Sequence, residues 1–233
     1  VDRVKKINIV KVTGGGREAA TDVVAVEKPI SIYVNSEFYA SITCTPSDLR
    51  ELAAGCLFSR GMLSDPQSIR SIEEMSGDSI WVSLDSEGLC DSGVSPVEAA
   101  GKFNAEELLS LMREFNSRSE IFRETGGVHS CALCAGGRIE AFFEDVGRHN
   151  ATDKVIGHAL LNGIELGERF LMTSGRISAD TISKLARAGI QMAVSRSAPT
   201  DLALEIAEAA NITVAGFARG SSMNIYCGEQ RIS

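Results

Sequence analysis

The chain has 233 residues, 44% of them hydrophobic and 23% charged, and carries a formal charge of -8. That fits one large or two small soluble domains with room for a sizeable core, and it argues against broad nucleic-acid binding, which takes many lysine and arginine contacts to phosphate, while leaving local basic pockets open. No apolar run approaches a membrane span, and the opening Val1-Asp2-Arg3-Val4-Lys5-Lys6 lacks the apolar core of a secretory signal, so a cytoplasmic protein with no membrane or nucleic-acid partner is expected.

In chain order, a valine-rich run at 22–26, a strand over 30–34, a turn at Asn35-Ser36 and a returning strand over 38–43 predict a hairpin. Thr45-Pro46-Ser47-Asp48 can cap a helix through Leu57, with Leu49, Leu52, Ala53, Cys56 and Leu57 at helical spacing. A second strand pair is expected over 69–84, followed by a Gly-, Ser- and Pro-rich link over 85–102 that reads as mobile. A domain boundary is placed there, giving an amino-terminal α+β part over 1–102 and an α/β part over 103–233.

The second part alternates helices and strands: helix 104–122, a short helix 128–135 after the Gly126-Gly127 turn, strand 138–145 and helix 150–161 come first. Strand 169–173, helix 178–188, strand 191–195, helix 199–209 and strand 213–217 follow. Such alternation marks a parallel α/β sheet, whose ligands gather at the carboxyl ends of strands.

Three of those strands run into similar loops: Thr173-Ser174-Gly175-Arg176, Ser195-Arg196-Ser197 and Phe217-Ala218-Arg219-Gly220-Ser221-Ser222. The first two lead to helix starts, whose free amides and dipole favour anions. Singly, each loop is an ordinary structural cap. Their recurrence at successive strand ends, with Arg148 as a fourth guanidinium, points to a phosphorylated ligand such as a nucleotide or pyrophosphate compound.

Of the six cysteines, at 44, 56, 90, 131, 134 and 227, two form the close pair Cys131-x-x-Cys134, next to His129. The number and spacing suit reduced thiols rather than a disulfide framework. On a helix the pair would share a face, and a first-turn position would lower their pKa and raise the nucleophilic thiolate fraction. The plain alternative is that both pack as small hydrophobes. Structural zinc usually takes four ligands, and no second Cys-x-x-Cys exists, although His129 could supply a third. A zinc deaminase would place Glu two residues after its histidine and a Pro-Cys-x-x-Cys later; here those places hold Cys131 and Thr173-Ser174-Gly175-Arg176. His149 and Asp153 are spaced to meet on one helix face, with Arg148 and Lys154 beside them.

Four segments in order, Thr125-Gly126-Gly127-Val128-His129, Glu144-Asp145-Val146-Gly147-Arg148-His149-Asn150-Ala151-Thr152-Asp153-Lys154, Thr173-Ser174-Gly175-Arg176 and Gly216-Phe217-Ala218-Arg219-Gly220, resemble the formate dehydrogenase accessory sulfurtransferase family, FdhD. The stretch from Glu27-Lys28-Pro29-Ile30 to Phe58 resembles it too. The resemblance implies a cytidine-deaminase-like three-layer α/β domain with a smaller amino-terminal α+β domain, as a homodimer. It implies passage of sulfur from a cysteine desulfurase to the molybdenum bis(molybdopterin guanine dinucleotide) cofactor that formate dehydrogenase requires, with GDP as an analogue of the cofactor's nucleotide ends. Phe217, Ala218, Arg219, Gly220, Ser221 and Ser222 match the family's cofactor-binding segment; Ser174, Gly175, Arg176, Arg148, His149 and Arg196 are the further candidates for that ligand.

The family's working Cys-x-x-Cys lies upstream of Thr-Gly-Gly-Val-His, where this chain has Gly88-Leu89-Cys90-Asp91-Ser92-Gly93 and so a single cysteine. Either the relay has moved to Cys131 and Cys134, with His129 and His149 as proton carriers, or Cys90 alone bears the persulfide, or transfer is lost and cofactor binding is kept. Only the pair offers both an accepting and a releasing thiol, which places it first. The competing classes are a non-catalytic cofactor chaperone and a zinc nucleotide hydrolase of deaminase type.

Overall fold

The computed structural model describes residues 2–75, 78–85, 96–97 and 101–233. The chain begins with a two-stranded ribbon, β1 (Val4–Thr13) and β2 (Gly16–Ala25), of which only the second strand's end was expected. The predicted hairpin is β3 (Lys28–Val34) with β4 (Glu37–Cys44), and its Asn35-Ser36 turn has φ of 49° and 73°, the left-handed pair that matches strand twist. With β5 (Ile69–Met75) and β6 (Ser79–Leu84) it forms a sheet of order β4-β3-β6-β5. Alternation along β3 and β6 turns Ile30, Ile32, Ile80 and Val82 inward against Leu52, Ala53 and Leu57 of helix α1 (Leu49–Ser59).

The second sheet has the order β12-β11-β10-β9-β7-β8: β7 (His129–Ala135), β8 (Arg138–Asp145), β9 (Phe170–Thr173), β10 (Met192–Ser195), β11 (Thr213–Arg219) and β12 (Ser222–Cys227). Only β9, β10 and β11 run parallel; β7 and β12 are antiparallel to their neighbours, so the sheet is mixed rather than the expected parallel one. Helices α4 (Arg148–Leu161), α5 (Ala179–Ala188) and α6 (Asp201–Ala209) cover one face, and α2 (Ala105–Arg118) covers the other. The expected helix over 104–122 breaks at Ser119, and α3 (Glu120–Thr125) follows. The break has a local cause: the Glu144 carboxylate accepts the first free amides of α3, from Ile121 and Phe122, both at 3.0 Å.

The expected helix over 128–135 is instead strand β7. Its neighbours β8 and β9 pair with it on both edges, and helices cover it on both faces, so a continuous run of small apolar residues suits a central strand. A short run of this kind has no period that separates strand from helix, and sheet pairing decides.

The two sheets are joined where α1 crosses α4. A Cβ on Gly55 would sit 1.9 Å from the Asp153 carbonyl oxygen, and one on Gly157 would sit 1.9 Å from that of Glu51. Backbones therefore touch, which only two glycines permit. Around this crossing, Lys154 Nζ, fully buried, lies 2.8 Å from Asp145 Oδ2 and donates to the carbonyls of Thr45 and Glu144 at 3.3 and 3.4 Å. Gly157→Ala should lower stability by about 3 kcal/mol in urea unfolding, whereas Gly167→Ala, whose Cβ would meet nothing within 4 Å, should leave the midpoint close to wild type.

Candidate functional site

Because β7 runs against β9, its first residue lies at the same edge as the last residues of β8, β9 and β10. Register fixes this: His129 faces Asp145, Cys131 faces Thr173, and Thr173 faces Ser195. The strand-end loops are then stitched to one another. Ser130 N donates to Ser174 Oγ at 2.9 Å, Ser174 N donates to the Ser130 carbonyl at 3.0 Å, and Ser174 Oγ lies 3.4 Å from His129 Nδ1. Ser195 Oγ donates to the Gly175 carbonyl at 2.6 Å and accepts from Ser197 N at 2.9 Å.

The Glu144–Lys154 segment divides its labour. Asp145 Oδ1 accepts from Gly147 N and Asn150 Nδ2, both at 2.9 Å, while its Oδ2 accepts from Thr45 N at 3.2 Å and pairs with Lys154. Thr45 Oγ1 in turn accepts from Val146 N at 3.1 Å, and Asn150 Nδ2 donates to the Thr43 carbonyl at 2.8 Å. Glu144, Asp145, Asn150 and Lys154 thus build the turn, and Arg148 and His149 are left at the sheet edge. Arg148 lies over Gly175, where an added Cβ would come within 3.0 Å of the arginine Cβ and 3.5 Å of His129 Nδ1. Its Nε is shielded from solvent and has no hydrogen-bond partner, an unmet donor of the kind that calls for an acceptor.

Arg196 is held from two sides: Nη1 donates to Asn116 Oδ1 at 3.2 Å, and the guanidinium lies 5.2 Å from the Phe122 ring centre. Arg219 Nε donates to the Arg196 carbonyl at 2.8 Å, and its guanidinium lies 5.7 Å from the Phe217 ring. Burial lowers the pKa of His129, with Arg148, Arg196 and His149 lowering it further. The approach of both Arg148 and His129 to Gly175 places these two side chains next to each other. Helices α4, α5 and α6 begin from this edge with no side chain capping their amides. Arg176 is exposed in the loop before α5.

Phe217–Ser222 is not the open loop expected. Strand β11 continues to Arg219 and turns back tightly at Gly220, whose φ is 57°. Arg113 Nη1 donates to the Gly220 carbonyl at 3.0 Å, and Ala218 is buried. Phe217 is 40% exposed, at a φ of 51° that disfavours a bulky residue, and its N–H donates to the Ser197 carbonyl at 3.0 Å. An aromatic face is thus fixed beside Arg219.

The thiols are placed otherwise than the sequence suggested. Cys131 and Cys134 lie in strand β7 with no exposed surface, one in the core under α4 to α6 and the other in the core under α2. They sit on opposite faces of the sheet and away from any helix start, so the argument for lowered pKa fails. Burial pushes the Cys131 thiol up to about 12 and raises that of Cys134 as well. Cys44 and Cys56 are likewise pushed up, to about 12 and about 11, chiefly by burial. Cys90 lies outside the described residues. The pairing expected between His149 and Asp153 does not form: Asp153 bonds Lys184 at 2.8 Å and Ser59 at 2.7 Å, and His149 Nδ1 lies 2.7 Å from Asp180 Oδ2. Asn116, Phe122, Ser130 and Asp180 were not legible as site residues; only Asp180, four residues before Lys184, carried a local signal. Among the described residues, no three His, Cys, Asp or Glu side chains gather as a metal site.

These features define a mixed α/β protein whose strand ends gather arginines, histidines and serines at one end of the second sheet. The FdhD/NarQ family model matches residues 25–91 and 87–233, and the chain belongs to that family. It is 36% identical to a sulfur carrier protein FdhD of Shouchella clausii over 91% of this chain and 90% of that one, and 35% identical to one of Sulfolobus acidocaldarius over 99% of each. A crystal structure described as a formate dehydrogenase accessory protein from Desulfotalea psychrophila matches with a TM-score of 0.90 and 32% identity, covering 100% of both chains.

A thiol with pKa about 12 is ionised to roughly one part in 10,000 at pH 8. Native protein treated with iodoacetamide at pH 8 should therefore keep Cys44, Cys56, Cys131, Cys134 and Cys227, all buried, unmodified. After unfolding in guanidinium all should react, as peptide mass spectrometry would read.

Proposed function

We propose that the chain is a sulfur carrier for formate dehydrogenase maturation, taking persulfide sulfur from a cysteine desulfurase and delivering it to the molybdenum bis(molybdopterin guanine dinucleotide) cofactor, bound as cargo. The observation that carries the reading is the clustering of Arg148, Arg196, His129 and His149 at one sheet edge in a chain of charge -8, with Arg148 Nε unpartnered. Family membership and the sulfur carrier names of the relatives support the chemistry.

The residues fit a ligand with phosphates and a flat base. Arg196, Arg219 and the free helix amides suit pyrophosphate, Arg176 stands in the loop from β9 to α5, and the exposed Phe217 ring suits stacking of guanine. Ser221 and Ser222 are exposed where β11 turns into β12. GDP is the simplest analogue. Elimination favours Cys90 as the persulfide thiol, because the described cysteines are buried and their thiols are held protonated. Sulfur transfer to Cys90 would break the desulfurase S–S bond and form a new one at the Cys90 thiolate, leaving the desulfurase cysteine as a thiolate. His129, held neutral by burial and its cationic neighbours, is suited to accept a proton at the site. A homodimer, a cytoplasmic location and the deaminase-like description of the three-layer domain belong to the same proposal; no helix among the described residues is long and apolar enough to cross a membrane.

Incubation with a cysteine desulfurase and cysteine, followed by peptide mass spectrometry, should place added sulfur of about 32 Da on Cys90. The Cys90→Ser variant should lose it, and Cys131→Ser with Cys134→Ser should keep it. Sulfur on Cys131 or Cys134 would return the relay to the strand, and none on any thiol would favour a cofactor chaperone without transfer.

A further inference from the structure

His149 is the second residue of α4 and stands at the sheet edge, but its ring is engaged from behind by a residue of another helix. Asp180, in the first turn of α5, brings Oδ2 to 2.7 Å from His149 Nδ1. The contact is short, although Nδ1 makes no well-aligned hydrogen bond in the resting geometry.

Asp180 is itself secured. Lys184, one turn further along α5, lies 3.4 Å from the same Oδ2 and 2.8 Å from Asp153 Oδ2. Asp153 is 4% exposed, and its other oxygen accepts from Ser59 Oγ of α1 at 2.7 Å. A continuous chain, Ser59 to Asp153 to Lys184 to Asp180 to His149, thus runs from the α1–α4 crossing to the site. The His149 ring held against it, followed by the charge of Lys184, brings the Asp180 carboxyl down to about 2, so it is an anion throughout the physiological range.

We propose that Asp180 is a positioning residue for His149: its carboxylate accepts a hydrogen bond from Nδ1–H, fixes the ring's tautomer, and leaves Nε2 as the atom available to a ligand. The physical reason is that an ionised carboxylate only accepts. A neutral imidazole carries one proton, and the carboxylate draws it to Nδ1, so Nε2 becomes an acceptor. When the ring carries both protons, Nδ1–H still faces the carboxylate and Nε2–H becomes a donor aimed away from Asp180. In either state the partner's geometry selects which nitrogen works, as carboxylates do behind metal-bound histidines. Asp180 does not touch the ligand on this account. The inference concerns the anion site proposed above, but the tautomer is a property of the free protein and is read without any ligand.

The test is long-range ¹H–¹⁵N correlation of the histidine rings in the full chain at pH 8.5, with His149 assigned by loss of its signals in His149→Gln. Wild type should show His149 as the Nδ1–H tautomer. Asp180→Ala should invert it to the Nε2–H form that free imidazole side chains prefer, with the backbone amide spectrum otherwise that of the folded protein. An Nε2–H ring in wild type, or no change of tautomer in Asp180→Ala, overturns the proposal. Adding inorganic pyrophosphate to wild type separates the two readings: a shift of the Arg148 Nε–H resonance, the unpartnered donor at the site, supports the anion site, and the absence of one counts against that site while the tautomer result still decides the role of Asp180.

Discussion

The site depends on one buried ion pair. Lys154 and Asp145 are both withdrawn completely from solvent, 2.8 Å apart, and each is satisfied further by backbone and side-chain partners. Two charges in a protein interior are stable only when every lone pair and proton is met. Meeting them here draws together Thr45 from the amino-terminal sheet's connection to α1, the end of β8, and the first turn of α4. Geometry at the sheet edge follows from that demand: the turn at Gly147 cannot relax without stranding a charge, so Arg148 and His149 leave it in fixed directions.

The glycine crossing supplies the other half of the constraint. Gly55 and Gly157 let α1 and α4 approach to backbone contact, which brings Ser59 within reach of Asp153 and lines up the Lys184 and Asp180 chain behind His149. Stability and site geometry are therefore carried by the same residues. Burial keeps the Asp153 carboxyl above its ordinary range despite Lys184 beside it, a sign that this polar chain costs solvation energy that the packing around it offsets.

Much of this architecture was legible in the sequence, for identifiable reasons. Asn35-Ser36 between two β-branched runs gave the hairpin, and the helices α4, α5 and α6 kept their apolar spacing. Strand β7 was misread because Ser130-Cys131-Ala132-Leu133-Cys134 is small and apolar on every side, and its identity is decided by β8 and β9 rather than by its own pattern. That one error propagated to the thiols: a helix start would have made Cys131 and Cys134 reactive, whereas a central strand puts them in two different cores. The ribbon strand β1 was missed because lysines interrupt its apolar alternation, and β12 because Tyr226 and Ile225 follow a loop-like Gly-Ser-Ser.

The converging arginines were visible as recurring loops, while the residues that aim them were not. Asn116 and Phe122 reach Arg196 from helices distant in sequence, and Glu144 shapes α3 through backbone amides no pattern predicts. The same distinction explains the density of the Glu144–Lys154 segment, where most positions build the turn and two, Arg148 and His149, are left at the ends of the strands.

Calorimetry with GDP on wild type and on Arg196→Ala/Arg219→Ala tests the anion-receptive edge most directly. Arg219 is exposed, Arg196 is half-buried against Asn116 and Phe122, and both lie outside the buried ion pair, so the variant should stay folded. The account predicts binding by wild type and a loss of about tenfold or more in the variant, the size expected for removing charge-assisted bonds to phosphate. Equal affinity in the two proteins, or no binding of GDP by wild type, would contradict it.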